Sequence, residues 1–280
     1  MDLETRLLGL RRSLRSMDRV VVALSGGVDS GLVLALAREE VPGGVLAVTS
    51  CSESVPPSEV EEARALAGSL RVEHLVIHTE ELADPAYRSN PVDRCYYCKK
   101  ELYGKLGALA RERGFACVLD GANADDARDV RPGMRAAREQ GVRSPLLEAG
   151  IGKEEVRALA RGLGLPVWDK PAAPCLSSRV PHGTEVTAAL LARIDAAEQA
   201  LRSLGFREVR VRHHGELGRI ELPEADLARA AAPPLREAVL RAVRDAGWSA
   251  AVLDLRGFRS GAFAALERRR LAAAAAAGGS

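Results

Sequence analysis

The chain lacks any apolar run long enough to cross a bilayer, and no sign of charge dominates it. Its 40 Lys and Arg against 38 Asp and Glu leave a net charge of +2, with no pull toward nucleic acid or a membrane surface. Neither kind of partner is expected. A secretory signal pattern is missing too, since Met1 to Asp18 is charged and amphipathic, so the expected compartment is the cytoplasm. Cysteine is scarce and odd in number, five in 280 residues, which argues for reduced thiols, metal binding or catalysis over disulfides. The one glycine-rich turn of note carries neither the Gly-Lys-Ser/Thr of a Walker A loop nor the G-x-G-x-x-G of a dinucleotide site.

What is present is an ordinary globular composition, 47% hydrophobic and 28% charged, with length for one large or two small domains. The chain is organised around Ser25-Gly26-Gly27-Val28-Asp29-Ser30, between the apolar run Val20 to Val22 and a helix opening at Gly31. Strand, glycine turn and helix place unpaired backbone N–H groups around an anion. Gly26 and Gly27 admit a phosphate closely, and Ser25 and Ser30 add hydroxyl donors. Asp29 would repel phosphate unless a cation intervened, so it reads as a magnesium handle. A serine- and glycine-rich connection with no ligand is the bland alternative. The motif resembles the PP-loop of the ATP pyrophosphatases, which implies a grip on the β,γ-pyrophosphate of ATP and attack of a substrate oxygen on the α-phosphate.

Strands are expected at 44–49, 72–78 and 115–119, and helices at 57–70, 96–113 and 153–163, after a leading helix that ends near Met17. That alternation predicts an α/β fold: a Rossmann-like parallel sheet of the PP-loop ATP pyrophosphatase type with a smaller C-terminal α/β domain. The expected organisation is a nucleotide domain over 1–170, a cysteine-bearing loop over 171–183, a substrate-binding domain over 184–270 and a low-complexity tail over 271–280. Ligands bind beyond the carboxyl ends of such strands. Candidate nucleotide contacts are therefore Thr49, Gly121 and Asp125 beside the glycine turn, with Asp126 as a substrate contact. Capping of a following helix by Asn123 or Asp125 is an equal alternative. The basic stretch from Arg128 to Arg143 reads mostly as a solvated face.

In the C-terminal part, strands are expected at 208–213 and 218–222, with Val209 and Val211 on one face and Arg210 and Arg212 on the other. The paired arginines suit an anion such as a substrate phosphate, although a solvated sheet face has the same pattern. Arg259, after Gly257, is a further candidate anion contact. The stretch from Trp168 to Thr184 is punctuated by Pro171, Pro174 and Pro181, so it is an irregular loop. Cys175 in it is poorly placed as a packing thiol, and Arg179 would favour its thiolate and could hold an anion.

Four segments together, the glycine turn, Cys95-Tyr96-Tyr97-Cys98-Lys99, Pro174-Cys175-Leu176-Ser177-Ser178-Arg179 and Gly257-Phe258-Arg259-Ser260-Gly261, resemble the LarE family of ATP-dependent sulfur transferases. The resemblance implies Mg·ATP adenylation of a carboxylate of pyridinium-3,5-biscarboxylic acid mononucleotide, in the making of the nickel-pincer cofactor of lactate racemase. A cysteine at the position of Cys175 then attacks the acyl group, and cleavage of its C–S bond leaves a thiocarboxylate and dehydroalanine. It also implies substrate contacts at Arg179, Arg210, Arg212, Glu198, Glu221 and Arg259, a homo-oligomer, and handover to a nickel insertase; Lys99 is a candidate for steadying the developing charge, with a solvated helix lysine as an equal alternative. The chain departs from the single-cysteine pattern. Cys95 and Cys98 form C-x-x-C, and with Cys175 they could hold a 4Fe–4S cluster with one iron open for a donor sulfide. Zinc with a ligand such as Cys51, or a redox dithiol, are competing readings. Cys117 lies in an apolar strand and reads as core. A tRNA thiolase should show a basic RNA surface or an added module, and a non-catalytic nucleotide-binding protein should tolerate loss of the thiols.

Overall fold

The structure is a computed structural model that describes residues 2–128 and 132–258. The chain divides into two compact units, Met1–Pro174 and Cys175–Ser280.

In the first unit α1 (Leu3–Arg15) is capped by Asp2, whose carboxylate accepts the Thr5 N–H at 2.8 Å. Then follow β1 (Val20–Ala23), α2 (Val28–Glu40), β2 (Val45–Cys51), α3 (Pro57–Ser69) and β3 (Glu73–His78). The chain continues through α4 (Pro85–Arg88), α5 (Arg94–Glu112), β4 (Cys117–Leu119), α6 (Pro132–Glu139), α7 (Pro145–Glu148) and α8 (Lys153–Gly162). The four strands are parallel in the order β3-β2-β1-β4. Both faces of β1 are covered: Val20 and Val22 join a core with Leu14, Leu34 and Val156, while Val21 joins Leu102, Leu106 and Ala137. A strand buried on both sides needs an unbroken apolar run, which Val20-Val21-Val22 supplies. After β3 the path returns past β1 to place β4 on its far side. The crevice at this reversal lies between the turn after β1 and the loop after β4.

The expected strands and helices of this unit form, with shifted ends. α5 starts two residues earlier than expected, so Cys95 and Cys98 both lie in its opening turns. The basic stretch contains α6, which buries Ala136 and Ala137 and leaves Arg135 and Arg138 exposed, so these two arginines lie on a solvated face as expected.

The second unit holds α9 (Ala188–Ser203), β5 (Arg210–His214), β6 (Leu217–Glu221), α10 (Glu224–Ala231), α11 (Leu235–Asp245) and β7 (Ala250–Leu253). β5 and β6 pair antiparallel, and β7 adds parallel to β6. Val209, Val211 and Ile220 are buried with Val243 and Trp248, while Arg210, Arg212 and Glu221 lie on the opposite face. That second face is not solvated. Arg210, Arg212 and Glu221 are each at most 6% exposed.

Candidate active site

The glycine turn runs from the end of β1 into α2, with Gly27 as the cap residue. Gly26 has φ +74°, and a side chain there would meet the Glu59 carbonyl at 3.1 Å and the Ala63 nitrogen at 3.3 Å. The turn is braced from within. The Ser30 hydroxyl accepts the Ser25 N–H at 3.1 Å and lies 3.0 Å from the Ser25 hydroxyl. Ser30 is buried, whereas Ser25 is exposed and Gly27 half-buried. Ser30 therefore shapes the cradle, Ser25 is the hydroxyl exposed to an anion, and the Gly27 N–H points into the turn, where it donates to Ser25 Oγ at 3.4 Å.

Asp29 sits in the first turn of α2, half-buried. Asn123 Nδ2 donates to its Oδ1 at 3.1 Å, and Lys153 Nζ donates to its Oδ2. Sequence reasoning missed both partners. Lys153 did carry a signal, because a lysine in the first turn of a helix faces the positive end of the dipole and needs a reason to be there. The Asp29 carboxylate, aimed by these two groups beside an anion cradle, suits the one or two carboxylates that Mg²⁺ takes along with phosphate oxygens.

The loop after β4 meets the turn from the other side. A side chain at Gly121 would come within 2.6 Å of the Ser30 nitrogen and 2.9 Å of its Cα. Gly121 thus makes room for the start of α2, beside the glycine turn. Asn123 Oδ1 accepts the Asp125 N–H at 3.0 Å at the start of the short turn over Ala124–Arg128, and Asp125 itself accepts the Lys153 N–H at 2.7 Å at the start of α8. Asp126 accepts the Asn123 N–H at 3.0 Å, a bond that shapes the loop. The Thr49 hydroxyl donates to the Leu24 carbonyl at 2.8 Å and lies 2.8 Å from His74 Nε2.

With the Thr49 proton already given to Leu24, His74 must donate from Nε2, and its buried Nδ1 has no hydrogen-bond partner among the described residues. Burial, then the charge of Arg64, pushes the His74 pKa down, and burial does the same to His213. A histidine held neutral in the fold contributes stability above its unfolded value near 6.5, lost as pH falls through the folded value. Urea midpoints are expected to drop modestly between about pH 8 and about pH 5.5, and the drop should shrink in a His74→Gln, His213→Gln chain.

Cys95 is exposed and Cys98 half-buried, one turn apart on α5. The Lys99 ammonium lies 5.4 Å from the centre of the Tyr103 ring, and the Tyr103 hydroxyl donates to Asp120 Oδ2 at 3.0 Å. Burial is the main force pushing Tyr103 up to about 12, so the phenol keeps its proton at neutral pH. Lys99 is held well above the usual lysine value, by Tyr103 first and then by Cys98, Asp120 and Cys95, against burial. Since the phenol is neutral, Asp120 is the operative countercharge. Lys99 is thus a half-buried cation beside the C-x-x-C turn. Among the described residues no group of three His, Cys, Asp or Glu side chains is placed to hold a metal ion, so the donor set of a 4Fe–4S cluster is not shown. Cys117 is half-buried, 3.9 Å from the Met17 sulfur, and burial pushes its thiol up.

In the second unit Cys175, half-buried, precedes a helical turn over Leu176–Arg179. Arg179 Nη1 donates to the Cys175 carbonyl at 3.0 Å, and Nε and Nη2 hold both oxygens of buried Glu198 at 2.8 and 2.9 Å. Much of the charge expected to favour the thiolate is therefore matched by Glu198. Burial would raise Glu198, but Arg179 outweighs it and holds the carboxyl below the usual range. Arg212 Nε and Nη2 donate to Glu221 Oε2 at 3.0 and 2.8 Å, and its Nη1 donates to the Ser178 carbonyl at 2.9 Å. Arg210 lies 5.2 Å from the Phe258 ring centre, and its pKa is pushed down to about 10 by burial and then by the charge of Arg179. A guanidinium so destabilised gains from an anion. The structure thus gathers Arg179, Glu198, Arg210, Arg212 and Glu221 in one unit, and Arg259 lies outside the described residues.

The asparagine synthase family profile matches residues 9–163. Pyridinium-3,5-bisthiocarboxylic acid mononucleotide synthase of Lactiplantibacillus plantarum is 42% identical over 92% of this chain and 94% of its own. The chain belongs to the LarE family. An uncharacterized protein of Synechocystis sp. is 44% identical over 92% of this chain and 97% of its own. The tRNA-specific 2-thiouridylase of Beijerinckia indica is 30% identical, but across only 55% of this chain and 44% of its own. LarE-family membership makes the chain an ATP-dependent sulfur transferase on a PP-loop fold, with the tRNA-modifying enzymes as distant kin. No helix among the described residues is long and apolar enough to cross a membrane.

Proposed function

We propose that this chain converts a carboxylate of pyridinium-3,5-biscarboxylic acid mononucleotide to a thiocarboxylate at the expense of ATP. The reading is carried by one conjunction: an anion cradle with an aimed Asp29, and a half-buried Cys175 on a chain that also buries a strained arginine. A carboxylate oxygen attacks the α-phosphate, the bond to the β-phosphate oxygen breaks, and pyrophosphate leaves. The Ser25 and Gly27 donors stabilise charge on the phosphate oxygens, and Lys153 is poised to move from Asp29 to a phosphate. Asp29 is the residue that would hold Mg²⁺, which would neutralise charge on the phosphates. In the second unit Arg210 and Arg212 bind the substrate phosphate, while Glu198 and Glu221 keep the arginines in place. The sulfur of Cys175 displaces AMP from the acyl carbon. Loss of the Cα proton with cleavage of the Cβ–S bond leaves the thiocarboxylate and dehydroalanine at position 175.

A second sulfur source is favoured by one observation, the exposed Cys95 and half-buried Cys98 at the start of α5 beside half-buried Lys99. In that reading Cys95, Cys98 and Cys175 are cluster ligands, and a cluster would supply sulfide in place of the cysteine sulfur. Cys98→Ala separates the two. With Cys175 as donor, protein purified without oxygen contains no iron or acid-labile sulfide, and the variant still thiolates once per chain. With a cluster, about four iron atoms per chain are present and are lost in the variant, along with activity. The nearly balanced charge supports a small-molecule substrate over tRNA, and a homo-oligomer that passes product to a metal-inserting enzyme completes the proposal.

A further inference from the structure

Lys170 is used by none of the steps above, yet its ammonium group is committed. It donates to the Gly26 carbonyl at 3.1 Å and to Glu59 Oε2 at 2.7 Å, and it forms an ion pair with Glu62 Oε2 at 2.6 Å. One carbonyl and two carboxylates thus surround a single ammonium. The side chain is 13% exposed. Its backbone is held as well, because Arg157 on α8 donates to the Trp168 carbonyl at 2.9 Å and to the Lys170 carbonyl at 3.0 Å. Glu59 and Glu62 lie in the opening turns of α3, the helix that Gly26 touches so closely that no side chain fits. One lysine therefore joins the glycine turn, α3 and the segment that enters the cysteine loop five residues ahead of Cys175.

The consequence follows from peptide geometry. The bond between Gly26 and Gly27 is trans, so the Gly26 C=O and the Gly27 N–H point in opposite directions. Two glycines in succession give that peptide unusual freedom to turn over. A cation fixed on the carbonyl from the α3 side holds it outward, and the Gly27 N–H points into the turn, where the Ser25 Oγ at 3.4 Å holds the place a phosphate oxygen would take. We infer that Lys170 is a positioning residue that locks the Gly26–Gly27 peptide with its N–H toward the phosphates, so that the nucleotide cradle is formed before nucleotide arrives. This rests on the nucleotide reading of the turn. A cationic strut also offsets the two glutamates, which would otherwise weaken the field felt by a phosphate.

The two roles separate by substitution. Glu59→Gln with Glu62→Gln keeps the carbonyl contact and should leave the KM for Mg·ATP close to that of the wild type. Adding Lys170→Met to that pair removes the carbonyl contact with no glutamate charge left unpaired. The KM for Mg·ATP should rise about 10- to 100-fold, the worth of one charge-assisted hydrogen bond, while the KM for the pyridinium substrate stays unchanged. A triple variant with wild-type KM for ATP would overturn the inference and reduce Lys170 to a partner for two glutamates. Should the methionine chain not fold, the wild-type protein carries the test: the amide resonance of Gly27 must shift strongly on addition of Mg·ATP, and an unmoved resonance overturns the inference. Failure of the wild type to bind Mg·ATP at all would instead overturn the nucleotide reading itself.

Discussion

Replacing Cys175 with serine is expected to abolish thiocarboxylate formation while pyrophosphate release persists. A hydroxyl brings no sulfur and is a far weaker nucleophile toward the acyl adenylate, so the loss should approach about 10⁶-fold, the scale seen when an acyl-transfer nucleophile is removed. The substitution is nearly isosteric, and Arg179 would keep its bonds to the residue-175 carbonyl and to Glu198, so the fold of the second unit should survive. The glycine turn belongs to the first unit and keeps its own bonds. Mass spectrometry of the reaction mixture checks both halves. Adenylated substrate or its hydrolysis product should accumulate with pyrophosphate, and no thiocarboxylate should appear. The outcome is the same whether Cys175 gives up its own sulfur or ligates a cluster.

Asp29→Asn should strike the earlier step. The amide oxygen can still accept from Asn123 or Lys153, so the turn keeps its shape while the charge that would hold a cation beside the phosphates is lost. Pyrophosphate release should fall about 10²- to 10³-fold, and the magnesium concentration for half-maximal rate should rise. Thermal unfolding should move little, since a half-exposed ion pair is worth about 1 kcal/mol or less. Initial rates of pyrophosphate release across a magnesium series make the measurement. A variant with wild-type rate and unchanged magnesium dependence would remove Asp29 from the site.

The parallel sheet and its nucleotide turn were legible because their determinants are contiguous. Val20-Val21-Val22 must be apolar when both faces of β1 are covered, and Ser25 to Ser30 carry the anion chemistry in six consecutive residues. What stayed hidden depends on long-range contacts. Lys153 lies 124 positions from Asp29, and Lys170 lies 144 positions from Gly26. The packing of Gly121 on α2 and the bond of Asp125 to α8 were hidden as well, since the sequence cannot show how closely that loop approaches either helix. Alternation in 208–213 revealed two faces of a strand and not the cover over the second one. The Ser178 carbonyl, bonded to Arg212, closes that face and turns a surface-like pattern into buried charge.

The central claim is that a substrate carboxylate attacks ATP before sulfur moves, and an oxygen-isotope label tests it most directly. Pyridinium-3,5-biscarboxylic acid mononucleotide labelled in its carboxylate oxygens is incubated with the protein, ATP and magnesium, and the AMP is analysed by mass spectrometry. The account predicts one labelled oxygen in each AMP formed, with a thiocarboxylate in the product. AMP without label, or thiocarboxylate formed without ATP, would contradict it.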